Sequence, residues 1–386
     1  MPSSPMFAAV DPFDEYELLD VPAAPAALMA VFDSVPDPRS ARGIRHRLSV
    51  ILAVAACAVV TGARSFAAVA EWVAATSPGL LARVGVSDGP PSESTIRRTL
   101  QQLHGDGLDR LLGAWAQLRE PPSRGRRVIA IDGKSVRGSA TPDRRCRHLL
   151  AALGHGSRMV LGQLDVAVKT NEIPLFATLL DSIDLLGVLV TADALHCQAE
   201  HARYLIEQRG AHYLFTVKGN QPKLRAQLAA LPWTGVNIGA TQHDRGHGRI
   251  EKRSIKVVTV KAGILFPHAA QAIQIIRRRR LINSKKWRSE TVYAVTSLPA
   301  EQAQPTQLAG WLKGHWGIEN SLHWVRDVTF SEDHSQTRTA AGPQVMATLR
   351  NLAINLLRLA GATNIAAALR HQARQPIRPL KLLLTS

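Results

Sequence analysis

Residues 128–133 read VIAIDG, and residues 188–193 read VLVTAD. Each segment is a short apolar run, which is the pattern of a buried β-strand, and each carries an aspartate at its end. A helical pattern at 173–185 and a further strand pattern at 212–217 continue the alternation. Strands that alternate with helices are typical of an α/β domain, and we expect a mostly parallel sheet.

The regions around this pattern differ from it in composition. Residues 1–35 hold six acidic side chains and no Lys or Arg, and they predict an acidic flexible tail. Residues 36–119 have helical spacing and predict a helical N-terminal domain, which residues 120–126 link to the α/β domain. We therefore assign residues 127–360 to the α/β domain and residues 361–386 to a basic C-terminal tail.

The composition excludes several classes of protein. The chain has 386 residues, of which 46% are hydrophobic, and this is too apolar for disorder over most of its length. Three cysteines without a CxxC pair exclude a disulfide framework and fit a reducing compartment. The longest apolar run, Val50–Val60, is far shorter than the roughly 20 residues of a membrane span. The acidic N-terminus is unlike a signal peptide, so we expect a cytoplasmic protein that binds no membrane.

The formal charge is +17, and the sequence pI is near 10.6. A GC-rich coding sequence would favour Arg over Lys, but it would not favour basic over acidic residues. Because the first 35 residues are acidic, the remainder carries about +23. Such a balance predicts a polyanionic partner, and the commonest one is nucleic acid.

Two serines predict helix starts in the N-terminal domain. The run Leu48–Val60 predicts a buried helix, and Ser65 is a favourable N-cap for the helix after it. Ser92 opens a third helix, whose polar face carries Arg97 and Arg98. This helix could read DNA in a major groove. Plain helical packing explains the same spacing equally well.

Three carboxylates stand out by their positions. Asp132 and Asp193 end apolar strands, where an ionised carboxylate is costly unless it is paired or binds a metal. Each Asp could equally cap the helix after it. Glu319 lies in a long predicted helix, on a flank that it shares with two histidines and an arginine: His315, His323 and Arg326. Three oxygen ligands suit Mg²⁺ or Mn²⁺, and two such ions can promote phosphoryl transfer.

The segments around these carboxylates resemble those of DDE insertion-sequence transposases of the H-repeat-associated type. They read AIDGKSVRGS at 130–139, VTADALHCQ at 190–198 and HWGIENSLHWVRDVTFSEDHS at 315–335. The resemblance also covers RHRLSVILAVAACAV at 45–59 and PSESTIRRTL at 91–100. It implies a ribonuclease-H-like fold in which Asp132, Asp193 and Glu319 are the catalytic, metal-binding triad, with two Mg²⁺ or Mn²⁺ ions per active site. It further implies an insertion, which the basic β-like pattern places at about 222–300.

Some positions depart from the wider DDE pattern. A Tyr and an Arg often stand seven and four residues before the Glu, where this chain has Leu312 and His315. Only the base seven residues after it, Arg326, matches. Lys313 stands where the narrower family is expected to have Arg. These differences bear on which residues hold the DNA backbone.

Several basic residues are candidate DNA contacts. Lys134 follows the first Asp, and Lys218 ends a predicted strand, although ordinary turns explain both positions equally well. Arg249 lies in the basic insertion, where a solvated hairpin face is the alternative. We also count Arg97, Arg98, His315 and Arg326 among the candidates.

The resemblance implies a transposase that binds the terminal inverted repeats of its element, cuts DNA there and joins the ends to target DNA. It also implies a homo-oligomer on paired ends. The alternatives are a metal-dependent nuclease of the same fold and an inactive or domesticated DNA-binding protein. Terminal repeats that flank the coding sequence would distinguish an element from a domesticated copy.

Overall fold

The computed structural model describes residues 27–166, 171–246 and 248–386. Its helices and strands pack into two compact units. One unit is Glu120–Thr329, and the other combines residues 27–119 with Phe330–Ser386. Among the described residues, no helix is both long and apolar enough to cross a membrane.

Helices make up the described chain before the sheet. In order, they are α1 (Leu28–Asp33), α2 (Leu48–Val60), α3 (Phe66–Ala75), α4 (Pro78–Ala82), α5 (Glu93–Gln102) and α6 (Gly105–Arg119). All residues of α2 are buried, as expected for a helix that is apolar on every face. The Ser65 hydroxyl accepts a hydrogen bond from the Ala68 backbone, and Ser92 accepts one from Thr95. Both predicted N-caps are confirmed.

The second unit is built on one nine-stranded sheet. Its strands are β1 (Val128–Val136), β2 (Arg147–Gly154), β3 (Val160–Val166), β4 (Leu189–Ala192), β5 (His212–Val217), β6 (Ala240–Gly246), β7 (Arg249–Thr259), β8 (Gln271–Leu281) and β9 (Arg288–Thr296). They lie in the order β3-β2-β1-β4-β5-β9-β8-β7-β6. The basic β-rich segment therefore extends the same sheet, because β9 pairs with β5.

The expectation of a mostly parallel sheet is wrong. Among the described strands, only β1, β4 and β5 make parallel pairs, and every other pairing is antiparallel. The connections explain the difference, since a parallel pair needs a crossover of about a dozen residues or more. The links that join β1 to β2 and β2 to β3 are shorter than that, so these strands form hairpins.

Helices also accompany the strands of this unit. Those that the structure describes are α7 (Leu175–Asp181), α8 (Ala199–Arg203), α9 (Pro222–Ala229) and α10 (Pro305–His315). Leu308 and Ala309 of α10 pack into an apolar cluster with Leu189, Leu214 and other buried residues of the sheet. Packing of α10 on the sheet directs the end of this helix toward the strands that carry the two aspartates.

The segment after α10 is not a continuous α-helix, although its sequence predicts one from about 306 to 327. Glu319–His323 and Val325–Thr329 are π-helical instead. Ile318, Leu322 and Val325 are buried, as the predicted apolar stripe requires, while Trp311 is only partly buried. Single π-helical turns are rare and often occur at functional sites.

The other unit continues with α11 (Gly342–Leu359), α12 (Ile365–Ala373) and α13 (Ile377–Leu384). The buried carboxylate of Asp109 in α6 accepts hydrogen bonds from Gln344 and Thr348 of α11. Arg350 of α11 forms a fully buried ion pair with Glu332. The Asp109 contacts and the apolar faces join α11 to the N-terminal helices, and the ion pair joins it to the segment that precedes it.

The packing divides the chain differently from the predicted domains. Residues 342–359 belong to the helical unit by their contacts, and most of the predicted C-terminal tail forms α12 and α13 with buried leucines. Residues 1–26 of the predicted acidic tail lie outside the described residues. The described remainder includes α1, which buries Leu28, Val31 and Phe32. The functional division of the chain stays a prediction.

Candidate functional site

Asp132 and Asp193 meet at one edge of the sheet because their strands run parallel. Ile131, which precedes Asp132 in β1, pairs with Ala192, the last residue of β4. Asp193 comes directly after Ala192, so both carboxylates lie at the carboxyl end of β4, where sites in such sheets are commonly built. Together with Glu319 they line a cavity of about 280 Å³. The three predicted acidic residues thus share one cavity.

Burial raises the pKa of Asp132 to about 7. The negative charges of Asp193, Glu172 and Glu319 also raise it, against a hydrogen bond from the Gly133 backbone. The Asp132 side chain is 29% exposed, so it remains accessible from the cavity. A carboxylate that is both desolvated and surrounded by like charges favours a bound proton or a bound cation.

Glu319 and His323 are hydrogen-bonded within the first π-helical turn. Nδ1 of His323 lies 3.1 Å from Oε2 of Glu319, and this contact lowers the pKa of the Glu319 carboxyl. The same nitrogen is 3.6 Å from Oδ2 of Asp132. One donor atom from each of these three residues lies within 4.8 Å of the other two, which is close enough to hold a metal ion.

Asp193 caps a short turn and also lines the cavity, and its predicted metal-binding role stays a prediction. Oδ1 accepts a hydrogen bond of 2.8 Å from the backbone of Leu195, so the side chain caps the short turn Ala194–His196. The carboxylate also lines the cavity with Asp132 and Glu319. Asp193 lies outside the tight group formed by those two residues and His323.

Two further predicted residues, Lys218 and His315, line the cavity. Nδ1 of His315 is 3.2 Å from the hydroxyl of Thr191, which also contacts His155 at 2.9 Å. Burial lowers the pKa of His315 to about 4 and that of His155 to about 3. Both rings are therefore neutral near pH 7, and His315 offers the cavity a hydrogen-bonding group without a charge.

Two of the predicted DNA contacts are buried instead. Arg326 is fully buried and donates a hydrogen bond of 2.9 Å to Gln163 of β3. Lys134 is also buried and forms an ion pair of 2.5 Å with Asp327. Both charges are thus engaged by other groups of the protein, and their part in binding DNA stays a prediction. Lys134 shares a strand face with Asp132, and its partner Asp327 accounts for its buried charge.

Glu172 is a fourth carboxylate near the site that the sequence patterns do not reveal. Its two oxygens lie 2.6 Å from Nε2 of His148 and 2.9 Å from Nε2 of His196. Burial by itself raises the pKa of Glu172, but the hydrogen bonds and charges of the two histidines lower it to about 2. The carboxylate lies against Gly133, where any Cβ would collide with it.

Glu172 thereby connects the surroundings of both aspartates. His148 pairs with Ser135 of β1, and His196 lies three residues after Asp193. The only sequence signal for this contact is Gly133, a glycine that could equally leave room for a phosphate. No local pattern of charges distinguishes Glu172 from an ordinary exposed glutamate.

A basic groove begins next to Glu319. Arg249 of β7 and Arg279 of β8 line it with exposed side chains and form no ion pair among the described residues. Arg253 and Arg277 also line it, but Glu251 pairs with both. Further lining comes from Asp244, Arg245, Gly246, Lys313, Trp316 and Asn320. We call this surface the basic groove.

The arginine run of β8 alternates between two faces, as its strand pattern predicts. Arg277 and Arg279 line the basic groove, whereas Arg278 and Arg280 lie over the ring of Trp287 at 5.5 and 5.4 Å. Half of the run therefore faces the side on which Glu319 lies.

The remaining predicted contacts, Arg97 and Arg98, lie in α5 of the helical unit. Arg97 is half-exposed and pairs with Glu93 at 2.9 Å, one helical turn away, while Arg98 is exposed. Surface pairs of this kind are worth well under about 1 kcal/mol, so Arg97 can exchange its partner readily.

The chain belongs to the DDE transposase family, because the family model described as "Transposase DDE domain" matches residues 123–356. A second model, "DDE_Tnp_1-associated", matches residues 29–116. The resemblance inferred from the sequence motifs is thus confirmed, and the N-terminal helices match the model that carries the associated name.

Curated relatives agree with this assignment. The chain is 30% identical over 345 residues to "Putative transposase YncI" of Escherichia coli O157:H7, which covers 86% of this chain and 87% of that protein. It is 31% identical over 350 residues to "H repeat-associated putative transposase YhhI" of Escherichia coli strain K12, covering 86% and 90% of the two chains. Among solved structures, it is similar to the piggyBac transposase synaptic complex with hairpin DNA, at 11% identity and a TM-score of 0.41, over 94% of this chain and 79% of that chain.

Proposed function

We propose that this chain is a DNA transposase that binds the terminal inverted repeats of an insertion sequence, cuts DNA there and transfers the strands to a target. The observation that carries the proposal is the common cavity of Asp132, Asp193 and Glu319, which opens beside a basic groove. An acidic site repels DNA unless cations and basic side chains offset its charge, and this region of the molecule supplies both the acids and the bases.

Asp132, Asp193 and Glu319 would hold the divalent cations, which we propose are two Mg²⁺ or Mn²⁺ ions. The donor set fits, since carboxylate oxygens are the ligands that these ions prefer. The raised pKa of Asp132 supports the same assignment, because a cation relieves the repulsion among the carboxylates. When bound, such ions activate the attacking oxygen and stabilise the leaving oxygen of a phosphoryl transfer.

The other residues of the site would bind and orient the DNA. Arg249 in the basic groove and Lys218 in the cavity would contact phosphates of the bound DNA. The neutral ring of His315 can donate a hydrogen bond to the DNA or accept one from it, and it adds no positive charge that would attract a phosphate. In the helical unit, exposed Arg98 and half-exposed Arg97 remain candidates for binding the repeat, and the homo-oligomer on paired ends stays a prediction.

The order and directions of the first five strands support a ribonuclease-H-like core. The hairpins β1–β2–β3 lie on one side of β1, and the parallel strands β4 and β5 lie on the other. Asp132 lies in β1, the middle strand of these five, and Asp193 directly follows its neighbour β4. Strands β6–β9 would then be the insertion that the resemblance implies.

The test is a plasmid assay that uses the terminal repeats flanking the coding sequence, purified chain and Mg²⁺ or Mn²⁺. We expect cut and joined products with the wild type. Asp132→Asn, Asp193→Asn or Glu319→Gln should each lower cleavage by at least about 1,000-fold, as expected when a group that acts with others in one site is lost. Binding of the same DNA should change little, because none of these side chains is basic.

Asp165→Asn is a matched control, since Asp165 is a half-buried carboxylate of the same sheet that pairs with Arg147. Wild-type cleavage by any triad variant would contradict the proposed site. Cut products without joined ones would favour a nuclease. DNA binding without any cut product would favour an inactive, DNA-binding relative.

A further inference from the structure

His323 lies against two carboxylates that line the cavity, Asp132 and Glu319, and the DDE resemblance assigns no role to it. Its side chain is buried, with the whole residue only 4% exposed, and it lies between the carboxylates of Asp132 and Glu319. The contacts of Nδ1 with Glu319 and Asp132 hold the imidazole between the two carboxylates. They also place this nitrogen where it could bind a cation that the carboxylates hold.

Two separations among the three residues fit donors to one ion. Nδ1 of His323 is 3.1 Å from Oε2 of Glu319 and 3.6 Å from Oδ2 of Asp132. With metal–donor distances of about 2.1 Å, neighbouring donors lie about 3 Å apart and opposite donors about 4 Å apart. Both observed separations fall within that range, and Asp193 lies outside this group.

The backbone around His323 fixes the ring where it is. Glu319 and His323 belong to one π-helical turn, and Leu322 and Val325 anchor the segment in the core. The other ring nitrogen, Nε2, is buried and has no hydrogen-bond partner among the described residues. The contacts of the imidazole with polar groups are therefore those that Nδ1 makes with Glu319 and Asp132.

We propose that Nδ1 of His323 is a ligand of the cation that Asp132 and Glu319 bind, so that this position offers two oxygens and one nitrogen. The proposal rests on the metal-dependent function proposed above and extends it. An imidazole ligand favours transition-metal ions such as Mn²⁺ over Mg²⁺, which prefers oxygen. The chain should then bind Mn²⁺ more tightly than Mg²⁺, with His323 responsible for the difference.

The competing role for His323 is to hold the two carboxylates by hydrogen bonds alone, with the proton on Nδ1. His323→Asn separates the two roles, because its amide can still donate to Glu319 from nearly the same position but offers no imidazole nitrogen. His315→Asn is the matched control, since His315 lines the same cavity but bonds to Thr191 rather than to the acidic pair.

The experiment adds Mn²⁺ alone to the metal-free full-length chain and records electron spin-echo modulation together with calorimetric titrations of Mn²⁺ and Mg²⁺. We expect ¹⁴N modulation in the wild type and in His315→Asn, and none in His323→Asn. Affinity for Mn²⁺ should fall by roughly tenfold or more in His323→Asn, with a smaller change for Mg²⁺. Wild-type chain labelled with ¹⁵N-histidine gives the same answer without any variant, since ¹⁵N coupling must replace ¹⁴N coupling.

Two outcomes would overturn the role of His323 and leave the proposed function standing. One is Mn²⁺ binding that needs Asp132 but shows no histidine nitrogen coupling. The other is coupling that survives in His323→Asn and disappears in His315→Asn. Absence of any carboxylate-dependent Mn²⁺ binding by the wild type would instead overturn the metal site of the proposed function itself.

Discussion

The two halves of the nine-stranded sheet hold their charges in opposite ways. In the half formed by β1–β5, Asp132 and the nearby Glu172 are largely buried, and their pKa values are shifted in opposite directions. In the half formed by β6–β9, Arg249 and Arg279 extend into solvent from strand faces. We call the first half the acidic half after these buried carboxylates, and the second the basic half. Burial and nearby carboxylates raise the pKa of Asp132, and a cation would relieve that crowding, whereas the exposed arginines of the basic half present charges that a polyanion can reach.

The difference shows how one continuous sheet can serve two tasks. Desolvation makes the acidic half selective for cations, because few other ligands can neutralise several crowded carboxylates. The exposed arginines of the basic half can bind DNA of any sequence, because solvated arginines contact phosphates rather than bases. Substitutions in the acidic half should therefore change the rate of cleavage. Substitutions in the basic half should change the affinity for DNA.

Outside the triad itself, the largest effect is expected in the acidic half from Glu172→Gln. The amide replaces one acceptor oxygen by a donor, so the variant cannot accept hydrogen bonds from both His148 and His196. We expect the cleavage rate to fall roughly 10- to 100-fold. This is the usual range for a residue that orients the ligands of a metal site without binding the metal itself. Initial rates in the plasmid assay measure this effect.

Glu207→Gln is the control for that substitution, because Glu207 also contacts a histidine, His268, but on the exposed surface. It should cleave at the wild-type rate. If Glu172→Gln cleaves as fast as Glu207→Gln, the buried network does not support the site.

A smaller effect is expected in the basic half. The double substitution Arg249→Ala and Arg279→Ala removes two of the three groove arginines that have no ion pair among the described residues, the third being Arg245. The slope of the logarithm of the DNA-binding constant against the logarithm of salt concentration should become less steep by about two. This is roughly one for each lost phosphate contact. Fluorescence anisotropy at several salt concentrations measures the slope.

The matched control is Arg278→Ala with Arg280→Ala, which removes the same charge from the face that contacts Trp287. That pair should leave the slope nearly unchanged. Equal slopes in the two double variants would mean that the groove does not guide DNA to the site.

Local patterns predict the parts of the fold that local forces determine. Apolar runs indicate the two strands and the strand end at Asp193, and side chains that bond to nearby backbone indicate the helix starts at Ser65 and Ser92. The predicted strand end at Asp132 is wrong, because β1 continues to Val136 by pairing with β2. Three motifs suffice to recognise the family, because the acidic residues and their neighbours lie in short, ordered segments.

Other features depend on contacts between distant parts of the chain, which no local pattern reveals. The antiparallel pairing of β5 with β9 joins strands that are about 70 residues apart in the chain, and the π-helical turn at Glu319 lies where the segment after α10 meets the sheet unit. Burial of Arg326 and the position of Glu172 are likewise set by tertiary packing. A basic residue with helical spacing predicts exposure, yet Arg326 is buried because Gln163 of β3 is within reach.

The central claim is that carboxylates from three distant segments bind a divalent cation in one cavity. Iron-directed cleavage of the polypeptide tests it most directly: Fe²⁺ replaces the natural ion, and ascorbate with peroxide generates radicals that cut the nearby backbone. The account predicts cuts near Asp132, Asp193 and Glu319, all of which disappear in Asp132→Asn. Cuts confined to other segments, or the same cuts in Asp132→Asn, would contradict it.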